Sequence, residues 1–222
     1  MQILVAAATA LEIAPFIKKY PSADILVAGV GSPATIYHLT RRIRLIDYDL
    51  VIQAGIAGCF NTEVALGKVV VVHADTFADV GIRTNNGFSS LFDEGLADAN
   101  HSPYTDGWLI NPNRLLETLI YDKVIGITVN TLTDDKNITV QLATKYKAFL
   151  ESMEGAALHY VCLQENVSFL QLRSISNYVG ERNKSKWDMK LGIENLNNVL
   201  QEIYEQFLQG NKDQKPAKQI LK

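Results

Sequence analysis

The chain has 222 residues, 47% of them apolar and 20% charged, and its 21 basic and 24 acidic side chains give a formal net charge of −3. This is the composition of a globular protein long enough to bury a sizeable core, which excludes a disordered or fibrous chain. The slightly acidic balance gives no reason to expect nucleic acid or an anionic membrane as a partner.

The first residues, MQILVAAATALE, have no basic start and only a short apolar run. They predict a core strand rather than a signal peptide or a membrane span. The two cysteines, Cys59 and Cys162, lie far apart in apolar segments, which indicates two core thiols rather than a disulfide framework or a metal site. These features are typical of a cytoplasmic protein.

Short β-branched runs alternate with amphipathic stretches along the chain. The apolar runs predict strands over residues 3–5, 24–27, 50–52, 68–72, 124–129 and 169–172. The helical patterns predict helices over residues 9–19, 32–45, 141–149, 155–164 and 191–208. In the second helix we expect Ser32 as the N-cap and Pro33 in the first helical position. This alternation predicts an α/β fold with a largely parallel sheet and helices on both faces.

Two polar stretches and the carboxyl terminus interrupt this alternation. Residues 81–107 and 177–190 are rich in polar residues and predict long loops, which need a functional or a linker explanation. Residues 210–222, GNKDQKPAKQILK, have no core pattern and predict a flexible tail. We therefore expect a single domain over residues 1–209.

Three candidate site residues follow predicted strands, where open α/β sheets bind ligands. They are Glu12, Glu154 and Asn177. Each also has a structural explanation. Glu12 completes a Thr-x-x-Glu capping box with Thr9, a helix dipole favours a carboxylate at Glu154, and Asn177 suits a turn.

The glycine-rich run GIAG at residues 55–58 predicts a turn whose backbone N–H groups hold an anion or a polarised water. The GVG run at residues 29–31 precedes a helix but lacks the third glycine of a dinucleotide fingerprint, so NAD is not expected. The four histidines have no metal-ligand spacing. We expect no metal and no organic cofactor.

Together these segments resemble the methylthioadenosine/S-adenosylhomocysteine nucleosidases and the wider purine nucleoside phosphorylase superfamily. Residues 151–177, ESMEGAALHYVCLQENVSFLQLRSISN, carry the Met-Glu-(Gly/Ala) helix start and the Arg-x-Ile-Ser-(Asp/Asn) turn of that family at its spacing. Glu12 and residues 55–58 fall where the family has its water-activating glutamate and its glycine-rich turn. The resemblance covers residues 1–209 and implies a three-layer α/β/α sandwich with a central mixed sheet, of the nucleoside phosphorylase type.

The resemblance implies cleavage of an N-glycosidic bond of a small-molecule nucleoside. In this interpretation Glu12 activates water, Glu154 accepts hydrogen bonds from the ribose hydroxyls, and Met153 packs on the sugar. Asn177 binds the base. The other substrate-binding candidates are Gly55, Ile56, Arg173 and Ser176.

Two departures from the superfamily pattern narrow the hypothesis. Its phosphorylases usually have serine in the glycine-rich turn, whereas this chain has Ile56, which cannot bind a phosphate oxygen and therefore favours water as the nucleophile. Asn177 replaces the aspartate of the methylthioadenosine nucleosidases, and its amide N–H suits N7 or O6 of a 6-oxopurine. This combination resembles the futalosine hydrolase family, whose members release hypoxanthine from futalosine in an alternative menaquinone pathway.

Futalosine carries an aryl carboxylate at its 5′ end, for which several loop residues are candidate partners. The cations are Arg83, Arg182, Lys184 and Lys186, and the aromatic candidates are Phe88 and Trp187. For any single one of them, the sequence favours a solvated loop side chain over a substrate contact. The resemblance also implies a homodimer or a larger homo-oligomer.

Three other functions stay open from the sequence. A methylthioadenosine-type nucleosidase is disfavoured by Asn177, and a phosphorylase by Ile56. A non-catalytic nucleoside-binding module is disfavoured by the presence of both Glu12 and Glu154, because a binder needs no carboxylate beside the water.

Overall fold

The computed structural model describes residues 1–85 and 87–210. Its strands are β1 (Ile3–Ala7), β2 (Asp24–Val27), β3 (Leu50–Cys59), β4 (Val69–Asp75), β5 (Gly81–Thr84), β6 (Gly87–Ser90), β7 (Leu109–Ile110), β8 (Lys123–Thr128), β9 (Leu150–Ser152) and β10 (Phe169–Tyr178). Its α-helices are α1 (Ala14–Lys19), α2 (Ser32–Leu45), α3 (Leu115–Thr118), α4 (Lys136–Tyr146), α5 (Gly155–Gln164) and α6 (Met189–Gly210). Residues 211–222, most of the predicted tail, lie outside the described part of the chain.

The main sheet is mixed, as the resemblance implies. Its strand order is β10-β4-β8-β9-β3-β1-β2, with β7 beside β4, and β10 also pairs with β3. Strands β10, β4, β8, β9 and β3 therefore form a closed ring, from which β1 and β2 extend. The β1–β2, β1–β3 and β3–β10 pairs are parallel, whereas β10–β4 and β3–β9 are antiparallel.

Helices cover both faces of this sheet because its strands carry consecutive apolar residues, whose side chains point to opposite faces in turn. Leu4 and Val51 pack on one face in a cluster with residues of α2 and α5. Their neighbours Val5 and Ile52 belong to the opposite cluster, which contains residues of α1 and α6. The predicted α/β architecture is confirmed. None of the helices in residues 1–85 and 87–210 is long and apolar enough to cross a membrane.

The predicted glycine-rich turn at residues 55–58 is wrong. These residues continue β3, which runs without interruption to Cys59. Gly55 pairs with Arg173, and Gly58 pairs with both Asn177 and Glu151. Because most of these backbone groups belong to the sheet ladder, they form no open anion-binding turn.

Several element boundaries also differ from the predictions. Helix α1 starts at Ala14 rather than Thr9, and Pro15 occupies its first turn, where its missing N–H costs nothing. The N-cap of α2 is Gly31, at a φ of 92°, not Ser32. The start of α4 is five residues earlier than predicted, because the side chain of Asp135 caps it.

The two predicted loops contain regular structure. Residues 81–107 include the β5–β6 hairpin. Residues 177–190 begin with the end of β10 and include a 3-10 turn at Lys184–Lys186.

Candidate active site

A cavity of about 290 Å³ opens beside the segments that follow β1, β9 and β10 and the second half of β3. Six of the eight predicted site residues line it, namely Glu12, Ile56, Met153, Glu154, Ser176 and Asn177. The other two, Gly55 and Arg173, do not line it. Residues that are up to 165 positions apart in the sequence therefore meet at one end of the sheet, as the location of ligand sites in α/β folds predicts.

Glu12 lies on the cavity wall in the turn between β1 and α1, and it is 7% exposed. Its Oε2 accepts hydrogen bonds from the backbone N–H of Thr9 (3.0 Å) and from the Thr9 hydroxyl (2.9 Å). Its Oε1 accepts from the backbone N–H of Ile56 at 3.2 Å. The capping contact to Thr9 thus exists although no α-helix begins there, and together the three donors fix the carboxylate at the cavity wall.

Glu154 stands at the N-cap of α5, but its side chain does not cap that helix. Instead Oε1 accepts from the backbone N–H of Gly31 at 2.9 Å, and Oε2 lies 3.8 Å from Nη1 of Arg173. Burial raises the pKa of Glu154 above its usual range, and the carboxylate of Glu12 adds to this, whereas Arg173 and the Gly31 N–H oppose it. Two carboxyl groups therefore share the cavity, one of them supported by a buried cation.

Arg173 and Gly55 lie behind this wall, which corrects their assignment as residues that touch the substrate. Arg173 is 1% exposed, and its Nη2 donates to Oε1 of Gln53 at 2.7 Å. A Cβ at Gly55 would lie 2.2 Å from Nη1 of Arg173 and 3.1 Å from Oε1 of Glu12. Glycine at position 55 thus leaves room for the guanidinium group that supports Glu154.

Asn177 and Ser176 both face the cavity because β10 has a bulge, where its pairing with β3 skips one residue between Ile175 and Asn177. The Ser176 hydroxyl donates to Oδ1 of Asn177 at 2.9 Å. Nδ2 of Asn177 donates to the carbonyl of Tyr178 at 3.2 Å. Since an amide nitrogen carries two N–H donors, one of them is left for a ligand.

Glu151, for which the sequence predicted no role, also lines the cavity. This residue of β9 is 6% exposed, and its Oε2 has no hydrogen-bond partner among the described residues. Burial raises the pKa of Glu151 to about 7, with Arg182 opposing the shift and Asp79 adding to it. No local pattern indicated this burial, because β9 has only three residues, of which Glu151 and Ser152 are polar.

Two of the residues predicted to bind the 5′ end of the substrate line the cavity, namely the cation Arg182 and the aromatic residue Trp187. Cζ of Arg182 lies 5.5 Å from the centroid of the Trp187 ring, and Nε1 of Trp187 donates to the carbonyl of Glu181 at 2.8 Å. Lys186 pairs with the Glu181 carboxylate at 2.6 Å instead. The other four candidates for the 5′ end, Arg83, Phe88, Lys184 and Lys186, do not line this cavity. Of these, Arg83 and Phe88 line a separate depression beside the β5–β6 hairpin.

Within the described residues, no three His, Cys, Asp or Glu side chains are grouped to hold a metal ion. The arrangement is instead one of hydrogen-bonding groups: a fixed carboxylate, a second carboxyl group and an amide, with the side chains of Met153 and Ile56 as apolar wall. A carboxylate that activates water, groups that bind sugar hydroxyls and a donor for the departing base are what cleavage of an N-glycosidic bond requires.

Comparison with known proteins places this chain in a family. The sequence model of the phosphorylase superfamily matches residues 17–208. The futalosine hydrolase of Acidothermus cellulolyticus is 31% identical over 204 residues, which are 90% of this chain and 82% of that protein. The futalosine hydrolase of Streptomyces coelicolor is 32% identical over 177 residues, 74% of this chain and 71% of that protein.

Solved structures share the fold at lower sequence identity. A 5′-methylthioadenosine/S-adenosylhomocysteine nucleosidase from Neisseria meningitidis, in complex with methylthio-immucillin-A, superposes with a TM-score of 0.78 at 16% identity. The match covers 93% of this chain and 100% of that one. The chain belongs to the phosphorylase superfamily, in the same family as the futalosine hydrolases that it matches over most of its length, and it is an enzyme of the N-glycosyl hydrolase class.

Proposed function

We propose that this enzyme hydrolyses the N-glycosidic bond of futalosine, releasing hypoxanthine and dehypoxanthine futalosine for menaquinone biosynthesis. The observation that carries the proposal is that Ile56 and Asn177 line the same cavity as Glu12 and Glu154. Ile56 favours water over phosphate, and the amide of Asn177 favours a 6-oxopurine. The relatives that are 31% and 32% identical to this chain over the aligned residues are both named futalosine hydrolases.

The environment of Glu12 supports water as the nucleophile. A phosphate dianion beside Ile56 would meet an apolar side chain and the carboxyl groups of Glu12 and Glu154, and like charges at such range repel. A water molecule instead has the Glu12 carboxylate as an acceptor. The bond from C1′ of the ribose to N9 breaks, and the oxygen of this water bonds to C1′. Glu12 accepts the proton that the water loses in this step.

The remaining groups act on the ribose and on the base. Positive charge develops on the ribose as the bond to N9 breaks, and Glu154 accepts hydrogen bonds from the 2′ and 3′ hydroxyls while Met153 packs against the ring. Negative charge develops on the purine, and Asn177 donates an N–H to N7 or O6. Because a carboxamide cannot give up a proton, Asn177 stabilises the leaving base by hydrogen bonding, and solvent protonates it.

The 5′ end of the substrate fits the mouth of the cavity. Arg182 is the cation that lines it among the described residues, and it lies over the Trp187 ring. An aryl carboxylate presents both an anion and a flat ring, which guanidinium and indole groups recognise. We therefore assign Arg182 and Trp187 to the 5′ group.

We further propose that residues 1–209 form one catalytic domain, that the chain works in the cytoplasm on a free nucleoside, and that it forms a homodimer or a larger homo-oligomer. Its membership of the phosphorylase superfamily supports these proposals. Light scattering of the purified protein tests the oligomer. A monomeric mass at the concentrations used for activity measurements would contradict it.

The decisive experiment for the substrate is an incubation without phosphate of the purified protein with futalosine, aminofutalosine, methylthioadenosine and inosine, followed by identification of the released base. We expect hypoxanthine from futalosine. Adenine from methylthioadenosine, with futalosine left intact, would instead establish the methylthioadenosine-type nucleosidase. Turnover that requires added phosphate would establish a phosphorylase, and binding without any release of base would indicate a nucleoside-binding module.

A further inference from the structure

Two ionisable groups of the cavity, Glu151 and Glu181, have no role in the proposed mechanism, and of these Glu181 is paired with Lys186. Glu151 is 6% exposed, lines the cavity, and has a buried Oε2 without a hydrogen-bond partner among the described residues. Burying a carboxyl oxygen without a partner costs free energy. Glu12 and Glu154, in contrast, each accept hydrogen bonds from backbone N–H groups of neighbouring segments. The described residues therefore leave this oxygen available to a ligand in the cavity.

Strand register places Glu151 opposite Asn177 across the cavity floor. Gly58 of β3 pairs with Glu151 of β9 on one side and with Asn177 of β10 on the other. Two strand spacings separate the Cα atoms of Glu151 and Asn177 by about 10 Å. Gly58 has no side chain to fill the gap, and all three residues line the cavity. Since directly paired residues of neighbouring strands share a face of the sheet, the two polar side chains lie on the same face with the glycine between them.

We propose that Glu151 binds the six-membered-ring edge of the purine by accepting a hydrogen bond from N1–H of a 6-oxopurine, opposite Asn177 at the N7 edge. This assignment rests on the proposed function, because it takes the base to be hypoxanthine. It makes Glu151 a residue that determines base specificity, distinct from the residues that activate water and hold the ribose.

The chemistry of the two purine types explains the preference. In a 6-oxopurine N1 carries a proton and donates, whereas in a 6-aminopurine N1 is an acceptor. An ionised carboxylate only accepts, so it pairs with N1–H of hypoxanthine and repels the lone pair of N1 in adenine. A neutral carboxyl group both donates and accepts, so it pairs with either base. A buried polar group left unpaired by the wrong base provides strong discrimination.

The ionisation of Glu151 therefore sets the discrimination. The charged groups that act on it are Arg182 from the segment after β10 and Asp79 from the segment after β4. Glu12, Glu154 and Glu181 line the same cavity. Burial raises the pKa of Glu151 to about 7, so the neutral form predominates below this pH and the carboxylate above it. The ratio of hypoxanthine to adenine affinity is expected to rise between pH 6 and pH 8.

Calorimetric titration of the wild-type protein with hypoxanthine, 1-methylhypoxanthine and adenine tests the assignment without turnover. Methylation replaces the hydrogen on N1 and so removes the hydrogen bond to Glu151. Losing a hydrogen bond to a charged group lowers affinity by about tenfold or more. We expect that loss in the wild type at pH 8, and we expect Glu151→Leu to bind hypoxanthine and 1-methylhypoxanthine equally weakly. Glu151→Gln, whose amide oxygen still accepts from N1–H, should retain hypoxanthine binding. Its ratio of hypoxanthine to adenine affinity should not change with pH, because an amide does not titrate in this range. Glu117→Leu, at an exposed position of α3, is the matched control and should behave as the wild type.

Each outcome decides the assignment separately from the proposed function. Equal wild-type affinity for hypoxanthine and its N1-methyl derivative, unchanged discrimination in Glu151→Leu, or no binding of hypoxanthine would overturn the role of Glu151 even if futalosine is hydrolysed. If futalosine is left intact while hypoxanthine binding depends on N1–H and on Glu151, the substrate proposal fails and the role of Glu151 stands. Should Glu151→Leu not fold, the wild-type pH series and Glu151→Gln decide the question.

Discussion

The Glu12 carboxylate is held by three donors from two segments, and this determines what a substitution there does. Oε2 accepts from the Thr9 N–H and hydroxyl, and Oε1 accepts from the Ile56 N–H. Glutamine has the same shape and keeps one acceptor oxygen. Changing Glu12 to glutamine thus removes the base while leaving most of the local structure in place.

We expect Glu12→Gln to lower kcat for futalosine by about 100-fold or more, the usual contribution of a general base. Its free energy of unfolding should fall by about 1–3 kcal/mol, since the amide oxygen can keep the bonds from Thr9 while the bond from the Ile56 N–H is lost. Steady-state kinetics without phosphate and thermal unfolding check the two parts. Thr9→Val, which removes the hydroxyl donor but keeps the carboxylate, is the control and should lose far less activity. Near-normal turnover of Glu12→Gln would restrict Glu12 to its role in the turn.

Asn177→Asp should shift base preference from 6-oxopurines toward 6-aminopurines. A protonated aspartate donates to N7 of a 6-aminopurine, whereas ionised aspartate only accepts and repels O6. The ratio of kcat/KM for futalosine to that for aminofutalosine measures the shift. Asn100→Asp, in an exposed loop outside the cavity, is the matched control. An unchanged ratio would show that Asn177 does not contact the base.

Glu151→Leu should stabilise the protein while weakening base binding, because it removes a buried oxygen without a partner. The expected gain is about 1–3 kcal/mol in the free energy of unfolding. This gain in the free energy of unfolding should also grow with pH. Below the ordinary pKa of a glutamate, Glu151 is protonated in both the folded and the unfolded chain. Between that pKa and about 7, it is protonated only in the folded chain. Rising pH therefore favours unfolding of the wild type over this range. Denaturant titrations at pH 5 and pH 8 should therefore show a larger difference at pH 8; a lower stability of Glu151→Leu at both values would contradict this.

At the scale of elements, the site depends on two strands that run further than their apolar segments. Strands β3 and β10 each have ten residues, and their second halves carry Ile56, Gly58, Ser176 and Asn177. Residues 50–52 and 169–172 were predicted from their apolar side chains. The second halves of the two strands were not predicted. In β3 the run of glycine and alanine after residue 53 has the composition of a turn. Its small residues instead allow close approach of the buried side chains behind the sheet.

Gly55→Ala tests this interpretation. The added Cβ would lie 2.2 Å from Nη1 of Arg173, so the guanidinium group must move away from Glu154. We expect a loss of about 1–3 kcal/mol in stability, as for other overpacked cores, together with a lower kcat. Gly192→Ala in α6 is the control, since its Cβ would meet its nearest neighbour at 3.5 Å and alanine is the better helix residue by about 0.5–1 kcal/mol. If Gly55→Ala matched that control in thermal unfolding and kinetics, the role of glycine at position 55 would be refuted.

At the scale of the whole molecule, the fold class and the clustering of Glu12, Glu154 and Asn177 followed from the sequence. They followed because the alternation of strands and helices and the resemblance over residues 151–177 are both local patterns. The placement of Arg173 behind Glu154 and the unpartnered carboxyl group of Glu151 did not. Both depend on the ring of five strands, which brings together segments far apart in the chain, and no local pattern reports burial at such a junction.

The charge distribution of the molecule adds a last prediction. The chain has a net charge of −3, and its cavity is lined by Glu12, Glu151, Glu154 and Glu181 against one cation of the described residues, Arg182. An anionic substrate therefore depends on Arg182 far more than a neutral one. We expect Arg182→Gln to raise KM for futalosine about tenfold or more, as for the loss of a charge-assisted hydrogen bond, and to leave KM for inosine, which has no carboxylate, unchanged. Added salt should raise KM for futalosine in the wild type. Lys184→Gln, in the same segment but outside the cavity, should affect neither substrate; equal effects of Arg182→Gln on both substrates would mean that Arg182 shapes the loop rather than binding the carboxylate.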